Sequence, residues 1–319
     1  MNIGQDLLLG IAIGDALGVP VEFKSRAYLR ENPVTEMIEF GVHNQAKGTW
    51  SDDSSLSFCL ADSLARNGYD LKDIASRILA WFNDGLWTAH GKVFDIGGQT
   101  RSAIDELTAI FKHRTFEELN NRVSDNEYAN RNGALMRILP VVFETLDLGI
   151  EEKYQLIKEV GCLTHGHIRS TIACFILIIM AEELIKGQTK WAAYLVMQQK
   201  VKNSFERLHI PAMEQQKFTR ILAFNISSFE AEEIKSDGYV VHSLEASLWS
   251  VLKNDTYKRT VLAAVNLGED TDTIGAIAGG LAGLIYGVSN IPTKWKEALV
   301  GRKAIESLGM LLHRRYYGA

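Results

Sequence analysis

Apolar side chains recur at helical spacing along almost the whole chain. The run Leu71, Ile74 and Ile78 illustrates the pattern, because residues three and four positions apart share one face of a helix. Asp70, directly before this run, is a favourable N-cap residue. The period-two alternation typical of half-buried strands is absent from the sequence, and only five prolines interrupt it. We therefore predict an all-α fold, specifically a compact, irregular orthogonal helical bundle.

The same periodicity predicts the positions of individual helices. It gives 5–16, a helix that contains Leu56 and stops at Gly68, a helix that starts after Asp70, and then about 99–112, 115–124, 133–147, 151–164, 168–186, 189–207, 213–228, 242–252, 256–266, 273–287, 293–299 and 302–316. Pro140 should kink or end the helix at 133–147. Segments 17–33 and 83–98 are predicted as loops, and 34–50 as irregular. A loop as long as 83–98 inside a compact domain is usually functional.

Five glycines in the predicted helix 273–287 indicate that it is central. Each glycine costs about 1 kcal/mol relative to alanine inside a helix. Their accumulation therefore predicts a face on which another backbone approaches closely. The glycines are Gly275, Gly279, Gly280, Gly283 and Gly287.

Composition narrows the classes of protein that are possible. The 319 residues are 46% hydrophobic and contain no linker-like stretch, so we predict one domain over residues 1–319. A net charge of −5 with scattered basic residues makes nucleic acid an unlikely main partner. The three cysteines form no C-x-x-C pair and read as buried thiols of a cytoplasmic protein. No signal peptide is indicated, and the longest apolar run, 172–181, is about half of a membrane span, so no membrane partner is expected.

Two short acidic stretches are the strongest candidates for chemistry. Asp270, Asp272 and Thr273 directly precede one helical pattern, and the stretch from Ser51 to Asp53 precedes another. An isolated D-x-D-T fits two interpretations: ordinary acidic capping of a helix N-terminus, or a set of metal ligands. Oxygen ligands in this number suit Mg²⁺, Mn²⁺ or Ca²⁺ rather than zinc. If the two stretches meet, four carboxylates would repel one another without a cation.

Six short motifs occur in one order along the chain. They are Gly14 to Phe23 (GDALGVPVEF), Ser51-Asp52-Asp53 after a tryptophan, Phe94-Asp95-Ile96-Gly97, Asn132 to Arg137 (NGALMR), Leu163-Thr164-His165 and Gly268 to Gly275 (GEDTDTIG). This order and spacing resemble the ADP-ribosylglycohydrolase family, which includes dinitrogenase-reductase-activating glycohydrolase. The resemblance covers about residues 4–287. It implies a fold of that family's helical type and an activity on ADP-ribose.

The resemblance also implies a dinuclear metal site and a reaction. Two Mg²⁺ or Mn²⁺ ions would be held by Ser51, Asp52, Asp53, Asp270, Asp272 and Thr273, with one aspartate bridging; Ser51 stands where threonine is commoner. The implied substrate is a mono-ADP-ribosylated protein. Retention of the Phe94 to Gly97 loop favours hydrolysis of the N-glycosidic bond to arginine over the bond to serine.

Catalytic residues follow from the same resemblance. Asp95 and Glu22 would lie by the metals, where a carboxylate can polarise water or protonate a leaving nitrogen. Asp53 is assigned both a metal-binding and a catalytic role. A loop aspartate that bonds its own backbone, or an exposed loop glutamate, would look the same in sequence.

Contacts with ADP-ribose are expected along several segments. Gly97, Gly98 and Gln99 open a helix whose N–H groups can receive a phosphate, although plain capping explains the same residues. Arg131 stands where many family members have glycine, which adds a cation or alters a backbone contact. His165 is carried over from the family; His167 completes an H-x-H pair without further zinc ligands at suitable spacing. The predicted substrate-binding residues are Gly97, Gly98, Gln99, Tyr128, Asn130, Asn132, Gly133, His165, Gly268 and Glu269.

Three other functions compete with this hypothesis. A family member can lose its chemistry and keep an ADP-ribose-binding or structural role. The linkage cleaved can be the O-glycosidic bond to serine. A helical terpenoid synthase also uses helix-borne aspartates, but it requires an acid at position 56, where this chain has leucine.

Overall fold

The computed structural model describes residues 2–318, and the regular structure of these residues is helical. The α-helices are α1 Ile3–Gly18, α2 Arg26–Glu31, α3 Asp52–Asn67, α4 Leu71–Asp84, α5 Gly98–His113, α6 Val142–Thr145, α7 Ile150–Cys162, α8 Ile168–Ile185, α9 Lys190–Ser204, α10 Ala212–Lys217, α11 Thr219–Ala223, α12 Val240–Lys253, α13 Tyr257–Val265, α14 Thr271–Tyr286, α15 Thr293–Ala298 and α16 Arg302–Tyr317. Residues 2–318 contain no β-strand, only two isolated bridges. The all-α prediction is confirmed.

The structure corrects the prediction in several places. The predicted helix 133–147 is instead a chain of 3₁₀ turns that ends in α6, because Pro140 lacks a donor and fits only the first turn of a helix. The predicted helix 115–124 is a short 3₁₀ segment, Phe116–Asn121, since Leu119 is the one described side chain of that stretch that is buried. The predicted loop 17–33 contains α2, whose N-cap Ser25 accepts a hydrogen bond from the Tyr28 N–H.

The predicted helix 213–228 is also broken, into α10, α11 and a 3₁₀ turn. Side chains from α9 donate hydrogen bonds to carbonyl groups at the end of α11. The Tyr194 hydroxyl donates to the Ile221 carbonyl at 2.6 Å, and the Gln198 amide donates to the same carbonyl at 2.8 Å. Competition from these donors ends the helix, and no local sequence signal announces it.

Helices α1 and α14 cross at the centre of the molecule with glycine against glycine. A Cβ on Gly14 would lie 2.0 Å from the Gly275 carbonyl oxygen, and one on Gly279 would lie 2.3 Å from that of Gly10. No other residue type permits this approach, which confirms the prediction drawn from the glycine-rich helix. The C-terminal end of α1 therefore meets the N-terminal end of α14, where Gly18 packs on the Asp272 backbone.

The core around this crossing is one connected cluster of buried apolar side chains that runs from Leu7 to Leu312. Residues 3–21, which include α1, are long and apolar enough to span a membrane by length and composition, with a mean hydropathy of 1.3. In the fold, 89% of that segment is buried. In this fold α1 is therefore a core helix.

Candidate active site

A cavity of about 350 Å³ opens where the N-termini of α3, α5 and α14 meet. Most of the residues predicted to act on substrate or metal line it. These are Glu22, Asp52, Asp53, Asp95, Gly97, Gly98, Gln99, Asn132, Gly133, His165, Glu269, Asp270, Asp272 and Thr273. Residues that are distant in sequence thus share one compartment.

The two acidic stretches meet in this cavity because α1 aligns the helices that carry them. Asp15, fully buried on α1, accepts hydrogen bonds from the backbone N–H groups of Ser51 and Ser54, both at 3.0 Å. This attaches the first turn of α3 to α1. The α1–α14 crossing places Asp272 beside Gly18, near the same end of α1.

Helix capping does not account for the late acidic stretch. Asp270 occupies the N-cap position of α14, yet its side chain makes no capping hydrogen bond. Its Oδ2 accepts instead from the Asn132 amide at 2.7 Å. In α3, by contrast, the Ser51 hydroxyl does cap the helix, accepting from the Asp53 N–H at 3.2 Å. The capping interpretation therefore holds for Ser51 and fails for Asp270.

The carboxylates of the cavity are buried and incompletely satisfied. Asp53 Oδ1 and Asp272 Oδ2 are buried without a hydrogen-bond partner among the described residues. Burial, followed by the charges of Asp15 and Asp270, raises the pKa of Asp53 well above its ordinary value. Burial and the charges of Glu22 and Asp53 do the same to the pKa of Asp272. Orphaned hard oxygen atoms that repel one another fit divalent cations such as Mg²⁺ or Mn²⁺.

A second acidic group lies beside the first and includes a histidine. Glu22 is hydrogen-bonded to Nε2 of His43, and ligand atoms of Glu22, His43 and Asp95 lie within 4.8 Å of one another. Atoms of Glu22, Asp270 and Asp272 are grouped equally closely. Burial raises the pKa of Glu22 to about 7, and the hydrogen bond with Glu22 raises the pKa of His43. The Glu22–His43 pair therefore retains a proton near neutral pH.

Another part of the cavity lining, the donor wall, offers hydrogen-bond donors rather than carboxylates. It includes the N-terminus of α5 at Gly98 and the side chains of Thr100 and His165. Burial, followed by the charge of Arg137, lowers the pKa of His165 to about 3, so the imidazole is neutral. A Cβ on Gly133 would lie 2.5 Å from Cε1 of His165. Glycine at this position is therefore what allows the ring to stand at the wall.

Four of the predicted site residues do not line the cavity. Ser51 uses its hydroxyl within α3, where it also donates to Asp53 at 3.1 Å. Tyr128 is 90% exposed, and the Asn130 amide bonds to the Glu127 carbonyl. Gly268 has φ +81 and packs against the Arg26 backbone, so it shapes the turn before Asp270.

Functional groups inside the cavity and beside it lie outside the sequence prediction. His43 and Asp237 carry no local signal, because each lies in a loop that packs on the site only in the folded chain. Phe23 and Met136 add apolar surface. Asp15 could have been found, since it lies inside the first of the six motifs. Arg131, which was noted, is the one Lys or Arg among the described lining residues.

Fold and cavity together define a class: a protein whose regular structure, over residues 2–318, is helical and whose helix N-termini form an acidic pocket. The sequence profile of ADP-ribosylglycohydrolase matches residues 5–319. The chain belongs to the ADP-ribosylglycohydrolase family.

Individual relatives agree with this membership over most of the chain. ADP-ribosylarginine hydrolase Tri1 of Serratia proteamaculans is 31% identical, over 97% of this chain and 78% of that protein. ADP-ribosyl-[dinitrogen reductase] glycohydrolase of Rhodospirillum rubrum is 29% identical, over 91% of this chain and 88% of that protein. A solved structure described as an ADP-ribosylglycohydrolase-related protein complex superposes with a TM-score of 0.77 at 29% identity, covering 98% of this chain and 97% of that one.

Proposed function

We propose that this protein is a hydrolase that removes mono-ADP-ribose from modified proteins by cleaving the N-glycosidic bond to arginine, with two Mg²⁺ or Mn²⁺ ions. The observation that carries the proposal is the meeting of Asp52 and Asp53 with Asp270 and Asp272 in one cavity, with two buried carboxylate oxygens lacking partners. The two relatives named ADP-ribosylarginine hydrolase support the choice of arginine.

The ions would be held by the six residues of the two acidic stretches. Asp52, Asp53, Asp270, Asp272 and Thr273 present oxygens to the cavity, and Ser51 would join them by releasing its bond to Asp53. When bound, such ions orient a diol, acidify water and neutralise developing charge. The burial and mutual repulsion of these carboxylates support a cation at this place.

The remaining acids would manage the protons of hydrolysis. Water attacks the anomeric carbon of the ribose, the bond from that carbon to the guanidine nitrogen breaks, and the nitrogen gains a proton. Asp95 and Glu22 lie beside the carboxylates that would bind metal, so one would accept the proton of the water and the other would supply the proton to the nitrogen. His43 holds Glu22 in place.

The donor wall would receive the ADP-ribosyl group. The first N–H groups of α5 have no partner within the helix and favour an anion, which suits the diphosphate. Gly97 and Gly98 leave space there, because a Cβ on Gly98 would meet nothing within 4 Å. His165 and Arg131, which also line the cavity, add hydrogen-bond donors.

The assay compares two linkages. Protein ADP-ribosylated on arginine, and a matched peptide ADP-ribosylated on serine, are incubated with the protein and Mg²⁺ or Mn²⁺, and free ADP-ribose is measured. We expect release from arginine that stops when a chelator removes the metal. Preferential release from serine would change the linkage assigned. Metal and ADP-ribose binding without release from either substrate would instead identify an inactive binding member of the family.

A further inference from the structure

Arg137 is a buried cation without an anionic partner. Its side chain is 1% exposed, and no carboxylate of the described residues pairs with it. Its Nη2 donates to the Val160 carbonyl at 3.0 Å and to the Thr164 hydroxyl at 2.9 Å. Its Nε and Nη1 atoms are buried without a partner among the described residues. A cation buried in this way is costly.

Other buried cations in the molecule are neutralised. Lys153 contacts Glu182, and Arg169 contacts Glu214 through two of its nitrogens. Burial lowers the pKa of Arg137 to about 10, so the guanidinium keeps its charge at neutral pH. The charge therefore persists without an ion pair, and the side chain that receives its hydrogen bond is that of Thr164.

Thr164 connects Arg137 to His165. Its oxygen already accepts from Arg137, and it lies 2.9 Å from Nδ1 of His165. A hydroxyl has one proton to donate. The described residues offer that proton no other acceptor within hydrogen-bond reach. Thr164 therefore donates to Nδ1, which must be unprotonated, and the ring proton resides on Nε2.

The charge of Arg137 supports the same assignment. A nearby cation favours a lone pair, rather than an N–H, on the side of the ring that faces it. It also opposes a second proton on the ring, so the imidazole remains neutral. His165 thus presents one N–H group and no charge.

Nε2 of His165 belongs to the cavity wall. A Cβ on Gly133 would lie 2.8 Å from this nitrogen and 3.2 Å from the Thr100 hydroxyl oxygen, so both groups converge at one point. His165 is 2% exposed and lines the cavity. A ligand oxygen at this wall would accept a hydrogen bond from Nε2–H of His165. The contact between Thr164 and Nδ1 fixes the orientation of that ring.

We propose that Arg137 and Thr164 are positioning residues that hold His165 as a neutral Nε2–H donor, directed at an oxygen of the ADP-ribosyl group. The identity of the ligand rests on the proposed function. The position of the ring proton is a property of the protein alone, and it can be tested whether or not that function is correct.

Nitrogen NMR tests the proton position. The ring resonances of His165 in ¹⁵N-labelled protein are identified by their loss in His165→Gln. We expect a protonated Nε2 and an unprotonated Nδ1, unchanged between about pH 5.5 and 8 because the neutral ring does not titrate there. In Thr164→Val the Nδ1 resonance should shift, since its hydrogen bond is lost. A protonated Nδ1 in the unmodified protein would overturn the proposal.

Calorimetry with ADP-ribose and Mg²⁺ tests the consequence. Thr164→Val should weaken binding by about tenfold, the usual effect of disturbing one hydrogen bond to a charged ligand, and Thr164→Ser should restore it. Thr145→Val is the matched control, because Thr145 is fully buried and donates only to the Val142 carbonyl. It should bind within about twofold of the unmodified protein.

Two results would reject the proposed role of Thr164: undiminished binding in Thr164→Val, or an equal loss in the Thr145→Val control. If the unmodified protein binds no ADP-ribose, the proposed function fails, and the NMR result alone decides the tautomer of His165 and its hydrogen bond with Thr164.

Discussion

Two buried charged regions of this molecule are built in opposite ways. Between α7 and α8, Lys153 donates to Glu182 at 2.6 Å, and both side chains are almost fully buried. In the cavity, Asp53 and Asp272 are equally buried but face other carboxylates, and each keeps an oxygen without a partner. In the first region, the folded protein itself pairs the two opposite charges. The second keeps carboxylate oxygens without partners, as the proposed metal site requires.

Asp15 shows that the cavity carboxylates are not unsatisfied merely because they lie deep. It is fully buried in the same region, yet it accepts from the backbone of Ser51 and Ser54 and from the Ser54 hydroxyl at 2.5 Å. Burial raises its pKa to about 6, against the lowering effect of these hydrogen bonds. The chain can therefore supply donors to a buried aspartate here, and it does not do so for Asp53 Oδ1 and Asp272 Oδ2.

The largest expected effect is that of Asp272→Asn. Hydrolysis of arginine-linked ADP-ribose should fall on the order of 10⁴-fold, as when an essential group is removed from other hydrolases. The metal-free variant should nevertheless be more stable to urea than the unmodified protein, because one repelling, desolvated carboxylate is gone.

Asp6→Asn is the matched control for that loss. Asp6 is 3% exposed, lies near the other end of α1 and does not line the cavity. Its replacement should leave kcat/KM within about threefold. Activity of Asp272→Asn within tenfold of the unmodified protein would remove the distinction between the two regions.

The next largest effect is expected when the ion pair between Lys153 and Glu182 is broken. Lys153→Met leaves Glu182 buried with only the half-exposed Lys186 nearby, at 3.6 Å. We expect the free energy of unfolding in urea to fall by about 3 kcal/mol, the cost of an unpaired buried charge. Activity per folded molecule should not change. The double variant Lys153→Met, Glu182→Leu should recover most of the stability, and a failure to do so would mean that the pair itself, not the orphaned charge, matters.

The smallest expected effect is metal stabilisation. At 100 times its Kd, Mg²⁺ should raise the free energy of unfolding by about 2.7 kcal/mol. The raised pKa values of Asp53 and Asp272 mean that the metal-free fold binds protons that the unfolded chain releases, so its stability falls as pH rises above the ordinary carboxyl range. Metal displaces those protons and binds more tightly as pH rises.

Urea titrations with and without Mg²⁺ at about pH 5.5 and 8 measure this change. The increment should be larger at the higher pH and absent in Asp272→Asn. An equal increment at both pH values, or one that survives in the variant, would place the cation elsewhere.

Much of the helical structure could be predicted from periodicity and caps, and the exceptions have identifiable causes. Tyr194 and Gln198 interrupt 213–228 from another helix, which no local pattern contains. Pro140 predicts a kink or an end in the helix, but its effect extends to the whole of 133–147. The assignment of residues 1–319 to one domain and the cytoplasmic location stay predictions.

The candidate site could also be predicted only in part. The acidic motifs, the Asp95 loop and His165 were identifiable because each has a local sequence signature and a place in a familiar order. The sequence did not reveal that Tyr128 and Asn130 lie outside the cavity. It also did not reveal the hydrogen bond between Glu22 and His43. Contacts between loops depend on how the helices beneath the loops pack, so the local sequence does not predict these contacts.

By itself, the sequence determined most of the helical segments, the helix that approaches another backbone, and the presence of aspartates at two helix starts, because these properties depend mainly on neighbours within about four positions. Only the tertiary structure decided that the two starts share one cavity and that their carboxylates lack donors. The glycine crossing of α1 with α14 and the bonds of Asp15 to α3 bring together residues from opposite ends of the chain. Burial and repulsion between these residues exist only after that packing has formed.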